Sequence, residues 1–297
     1  MLIRLLIVLV WLLWAPFTYA GDVITSELNG KINWTTGDIQ AVGFGAAPEG
    51  TAPRKQKSLA LRAAKIVALR NLLEIVQGVR VTSETTVLDL MLVSDIVHTR
   101  VTGIVRGAQV QASSFDEGSG LASVTMQLKV TEGLYKTLID APDLRLSQTK
   151  WPLTDLLSST LALLSTALAA NAHADITDDT EYTGIVFDVT GLRQFQPAAI
   201  LRLRDDMGKV FYPTESILKD RLSGSLLTLY GNSLETLTTS GRIGETPLII
   251  EVDALFQTFS SDLQLRSSDV KRLKGNETLW QLIERGRVAV LMSVSAE

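Results

Sequence analysis

Three cations, Arg54, Lys55 and Lys57, open a long apolar-periodic run directly after a strand that ends in Gly43 and Gly45 and a loop that holds Gly50. Glycines followed by a helix can cradle phosphate on backbone N–H groups, and the cations could gather an anion at the helix start. The glycine spacing is not that of a dinucleotide fingerprint, and the lysine that a phosphate loop requires is absent. Basic residues at a helix N-terminus also oppose the helix dipole, so an anionic partner would relieve them. Solvated surface charge is the competing reading of the same three residues.

The other reactive side chains are sparse. His98 and His173 are the two histidines, and there is no cysteine. Two histidines in separate segments do not make a zinc set, which draws on several His, Cys or carboxylate ligands. No G-x-S-x-G elbow supports a nucleophilic serine, although a triad is defined by geometry and not by spacing. Asp175, Asp178, Asp179 and Glu181 form an acidic cluster that lacks the glycine-bearing calcium loop, and a solvated linker explains it. Asp205 and Asp206 sit in a D-D-M-G turn signal. These residues call for no catalytic group, no metal and no cofactor.

The elements that would carry them follow from periodicity. Ser58 to Gly78 reads as one helix, with Ala63, Ala64, Ile66, Val67, Leu72, Leu73 and Val76 on its apolar face. Thr85 to Val101 reads as a second helix carrying Leu88, Met91, Leu92, Ile96 and Val97. Asp38–Gly45, Ile104–Ser114 and Leu121–Val130 read as strands, and Gly21–Lys31 as a loose lead-in. The expected fold class is α+β, with N-terminal helices on a small antiparallel sheet and a second, α/β domain. In that second domain the expected elements are strands at Thr183–Thr190, Thr246–Ala254 and Arg287–Val294. A 199–212 hairpin joins them, with a helix through Asp269–Glu284 capped by Ser267 or Ser268.

The first twenty residues have the layout of a secretory signal peptide. Arg4 precedes the apolar run Leu5–Trp14, and small residues Thr18 and Ala20 mark cleavage after Ala20. The run is short for a membrane span, which needs about 20 residues. The expected divisions are therefore 1–20 signal peptide, 31–140 first domain, 141–180 linker and 181–297 second domain. Within the linker, residues 156–174 are rich in Leu and Ala and carry no charge. They read as an amphipathic helix docked on the protein or on a partner, with a membrane span as the alternative. The formal net charge of −4 does not suit nucleic acid, whose binding rests on phosphate neutralisation. Export without cysteine excludes disulfides and a lipidated N-terminal cysteine, so the expectation is a bacterial periplasmic or secreted protein with no direct lipid anchor.

The strand with Gly43 and Gly45, the run ALRAAKIVALRNLLEIVQGVRV, the second helix and the hairpin resemble the LPP20 lipoprotein family. They are also similar to the N-terminal domain of the flagellar assembly protein FlgT, over residues of about 31–130. The run TGIVFDVTGLRQFQPAAILRLRDDMGKVFY resembles the second domain of larger proteobacterial relatives of that family. The resemblance implies a non-catalytic bacterial cell-envelope protein that works by protein–protein contact. Its partners would be envelope proteins, at outer-membrane or flagellar basal structures. The chain departs from the LPP20 pattern in lacking the lipobox cysteine. The alternative function is a periplasmic glycan- or anion-binding module centred on Arg54, Lys55 and Lys57.

Overall fold

The computed structural model describes residues 22–141, 181–214, 217–218 and 227–293. The chain is α+β. Five strands form an antiparallel sheet in the order β1-β2-β3-β5-β4: β1 (Ile24–Glu27), β2 (Gly30–Asn33), β3 (Asp38–Ala46), β4 (Gln109–Phe115) and β5 (Leu121–Lys129). One long helix, α1 (Pro53–Gly78), covers one face of this sheet. The signal-peptide stretch, most of the 141–180 linker with its 156–174 segment, His173, Asp175, Asp178 and Asp179 lie outside the described residues.

The contact between α1 and β3 is set by small residues. Ala60, Ala64 and Ala68 recur every four residues and are fully buried, with Leu72, Ile75 and Val76 continuing the stripe. They lie against Gly43 and Gly45. A Cβ at Gly43 would stand 2.1 Å from the Ala68 nitrogen, and one at Gly45 2.3 Å from the Ala64 nitrogen. The helix backbone thus rests directly on the strand, and Asn71 donates from Nδ2 to the Val42 carbonyl at 2.7 Å. This corrects the sequence-derived face at one position: Ile66 is 55% exposed. Two residues past Ala64 is about 200° around a helix, on the side away from the sheet. Ala63, Val67 and Leu73 are half-buried flanks of the stripe.

Three further expectations are corrected. The loose lead-in is the β1–β2 hairpin, where Ile32 alone is a buried strand position and no alternation marks the strands. The second helix is two helices, α2 (Val87–Val93) and α3 (Asp95–Arg106), because Ser94 is extended between them. The strand expected from Ile104 begins at Gln109. α3 runs to Arg106, since Val97, Val101 and Val105 bury one helical stripe despite their β-branched side chains. A π-turn, Val130–Leu134, then leads into α4 (Tyr135–Ile139).

The C-terminal part holds two four-stranded sheets. β6 (Gly184–Asp188), β9 (Leu229–Gly231), β10 (Pro247–Glu251) and β13 (Val288–Leu291) are parallel, in the order β10-β6-β13-β9. β7 (Arg202–Arg204), β8 (Val210–Tyr212), β11 (Ala254–Leu255) and β12 (Asp262–Gln264) form the other, in the order β11-β12-β7-β8. The helices α5 (Leu234–Thr239), α6 (Ser267–Gly275) and α7 (Glu277–Glu284) accompany them. The single helix expected over Asp269–Glu284 is α6 plus α7. Asn276 breaks it and caps α7 by accepting from the Leu279 N–H at 3.1 Å. Neither Ser267 nor Ser268 caps α6; the N-cap position is Arg266.

The loop after α1 joins the two parts. The Arg80 and Val81 carbonyls accept from the Ala199 and Ile200 N–H groups, each at 2.9 Å. Beneath them, Asp262 is fully buried and accepts from Arg202 Nε at 3.0 Å, Arg204 Nε at 2.6 Å and Ser83 Oγ at 2.5 Å. Arg202 Nη2 also reaches Ser83 Oγ at 2.6 Å and Glu84 at 3.1 Å. Trp34 of the first sheet packs edge-on against Tyr230 of β9, with ring centroids 5.9 Å apart. One buried apolar cluster therefore runs through both parts, from Val23 to Val290.

Candidate functional site

α2 and α3 form a corner whose inner faces are filled and whose outer face is not. Thr86 and Asp89 make a reciprocal cap at the start of α2: Asp89 Oδ2 accepts the Thr86 N–H at 2.7 Å, and Thr86 Oγ1 accepts the Asp89 N–H at 3.3 Å. The Thr86 N–H, and then its hydroxyl, hold the Asp89 carboxyl below the usual carboxylate range. Ser94 ends α2 by donating its N–H to Leu90 and starts α3 by accepting from the Val97 N–H at 3.4 Å. These caps fix the bend between the helices. Val87, Leu90, Met91, Val97, Val101 and Val105 turn into the core.

Beside exposed Asp89, Asp95 and His98, four large apolar residues are left outside. Leu88 is 41% exposed, Leu92 76%, Val93 61% and Ile96 62%. Scattered exposed apolar residues need no explanation, but four within nine positions concentrate apolar surface on one corner. From Ile96 the same face of α3 continues through Arg100 to Gly103 and Ile104, at helical spacing. There it meets an open groove of about 550 Å³ lined by Arg100, Gly103, Ile104, Gly133, Lys136, Thr137 and Asp140. Gly133 has φ of +90° within the π-turn, and Thr137 Oγ1 donates back to its carbonyl at 2.9 Å. Two cations and one carboxylate rim an apolar floor. The Thr137 hydroxyl in this lining is hydrogen-bonded to a backbone carbonyl and not to a base.

The residues singled out from sequence lie elsewhere. Arg54, Lys55 and Lys57 are exposed on the first turns of α1, which has no side-chain N-cap and no acidic residue in its first turn. Gly43 and Gly45, which suggested a phosphate loop, are occupied in seating α1 on β3. Gly50 alone of the three is in a left-handed turn, with φ of +77° and open space around it. The structure does not bring the α1 cations to the groove that Arg100 and Lys136 line. His98 is exposed on α3, and Glu181 is exposed. Asp205 Oδ1 accepts the Met207 and Lys209 N–H groups at 3.1 and 2.8 Å, as a turn aspartate does. Asp206 accepts from the Ser267 hydroxyl. Among the described residues, no three His, Cys, Asp or Glu side chains come together as a metal set.

Sequence reasoning missed the buried Arg202–Asp262–Arg204 cluster. A signal was present: Arg202 and Arg204 are two apart, hence on one face of a strand, inside an otherwise apolar run. Buried arginines need carboxylate partners, but Asp262 lies 58 residues beyond Arg204 and nothing local points to it.

A family model described as the second domain of Treponema pallidum Tp0624 matches residues 184–294. That stretch holds β6 through β13. No curated protein matches the chain.

Proposed function

We propose that this chain is a non-catalytic bacterial cell-envelope protein, exported to the periplasm, that works by protein–protein contact at outer-membrane or flagellar basal structures. The observation that carries the contact reading is the exposed apolar corner of Leu88, Leu92, Val93 and Ile96. Exposed apolar area of this kind is stabilised when a partner removes it from water. The signal-peptide layout and the LPP20 and FlgT resemblance support the compartment and the assembly role. No described helix is long and apolar enough to cross a membrane.

The test uses the full-length protein as bait in envelope fractions, beside a Leu92→Asp/Ile96→Asp double variant. The variant is expected to keep the wild-type circular dichroism spectrum and to lose the captured partners. If the variant retains all of them, the corner is not the contact surface. The second reading, a glycan- or anion-binding module, draws on Arg54, Lys55 and Lys57, three exposed cations in the first turns of α1. Binding of inorganic phosphate or soluble glycan fragments that is lost on Arg54→Ala/Lys55→Ala/Lys57→Ala, with the corner variant unaffected, would favour it.

A further inference from the structure

We propose that β4 is a self-pairing edge, through which two copies of this chain join antiparallel into one continuous sheet. β4 is the outermost strand of its sheet, and among the described residues no strand pairs with its outer side. Residues Gln109 to Ser114 are all exposed and Phe115 is half-buried. The strand reads QVQASSF, seven residues with no charge and no proline. An edge of this kind presents unpaired N–H and C=O groups, and proteins normally blunt it with charge, proline or shortness.

The other edges in the described structure carry those guards. β1 has four residues and ends in Glu27, and β10 begins at Pro247 and ends at Glu251. β8, β9 and β11 have three, three and two residues. β4 has one guard, a bulge at Gln111 where its register against β5 shifts. Beyond the bulge, Ala112 to Phe115 pair regularly with β5. This surface is distinct from the α2–α3 corner and does not depend on it.

Charge selects the occupant. β4 is preceded by Arg106, exposed at the end of α3, and followed by Asp116 and Glu117, exposed in the turn to β5. Asp116 is held ionised by its own turn, accepting from Ser119 Oγ at 2.5 Å and from the Gly118 N–H at 3.1 Å. Antiparallel pairing sets the start of one strand beside the end of the other. The Arg106 end of one copy then meets the Asp116–Glu117 end of the second, twice by the two-fold symmetry. Parallel pairing would instead place like charges together at both ends. The uncharged centre adds no repulsion, although the chain carries a net charge of −4. Centring the pair on Ser113 sets Ala112 against Ser114, which share one face, and Ser113 against its own copy on the other; Phe115 then lies against the bulged Gln111 and Asp116 against Val110.

The absence of cysteine makes the test clean. Sedimentation equilibrium of the full chain is expected to show a monomer–dimer equilibrium. Ser113→Cys is expected to give a symmetric intermolecular disulfide on mild oxidation, and Leu28→Cys, exposed at the far side of the sheet, is not. Ser114→Lys should return the protein to monomer with its circular dichroism unchanged. Arg106→Glu should raise the dissociation constant about tenfold, and adding Glu117→Arg should restore it. A chain that stays monomeric throughout, a dimer that Ser113→Cys fails to cross-link, or one that survives Ser114→Lys but not Leu92→Asp overturns the proposal. The last outcome would place self-association at the α2–α3 corner.

Discussion

Removing the Asp262 carboxylate should be among the costliest single changes in the molecule. The group is fully buried and receives two arginine Nε–H bonds and one serine hydroxyl. In Asp262→Ala, Arg202 keeps the neutral Ser83 hydroxyl and Glu84, whose side chain is 47% exposed. Arg204 keeps the Gly208 carbonyl at 2.9 Å and the face of Phe256, 4.4 Å from the guanidinium. Neither remaining contact neutralises a buried guanidinium fully. Breaking such a pair by removing one partner costs about 3–5 kcal/mol. Glu84→Ala, by contrast, removes a half-exposed partner and should cost about 0–1 kcal/mol. Urea denaturation followed by circular dichroism and by tryptophan fluorescence measures both. Because Ser83 and Asp262 tie the loop after α1 to β12, the two probes should also separate in Asp262→Ala while coinciding in the wild type. A triple change, Arg202→Met/Arg204→Met/Asp262→Leu, should cost less than Asp262→Ala alone, since it removes the desolvation penalty with the charges. If Asp262→Ala costs under about 1 kcal/mol, or the triple variant costs more than the single, the cluster does not hold the parts together as argued.

Gly43→Ala should destabilise by about 1–3 kcal/mol or more, because the new Cβ would meet Ala68 and Ala64 backbone atoms at 2.1 and 2.4 Å, and backbone cannot give way; thermal melting reads the loss. Leu72→Ala should cost about 2–5 kcal/mol and Ile66→Ala within about 0.5 kcal/mol, and equal midpoints would show the α1 face misread. Tyr230 is fully buried, and burial pushes its phenol up despite the Ala198 N–H that donates to its oxygen at 3.2 Å. A raised folded pKa makes its contribution complete below about pH 10, the unfolded value, and lost as pH rises further. Tyr230→Phe should therefore flatten the alkaline fall in the denaturation midpoint, and an unchanged alkaline limb would exclude Tyr230 as its source.

Much of the α+β class was legible in the amino-acid order, because the long elements have strong periods. α1, β3 and β5 each repeat their apolar positions over nine or more residues. Shorter elements were not legible. β1 buries none of its residues and β2 only Ile32, so neither shows alternation, and β-branched Ile104 and Val105 read as strand although a helix buries that stripe. Which side of α1 faces the sheet was decided by Gly43 and Gly45, whose missing side chains admit alanines and leave Ile66 outside. The sequence by itself determined how few groups could do chemistry, with two histidines and no cysteine, and that the run QVQASSF carries neither charge nor proline. Only the tertiary structure decided that this run lies at a sheet edge, and that Leu88, Leu92, Val93 and Ile96 stay exposed while Leu90 and Met91 do not. It also decided that Arg202, Arg204 and Asp262 meet. These outcomes depend on which distant segment packs against which face, and apolar content or charge along the chain does not encode that partner.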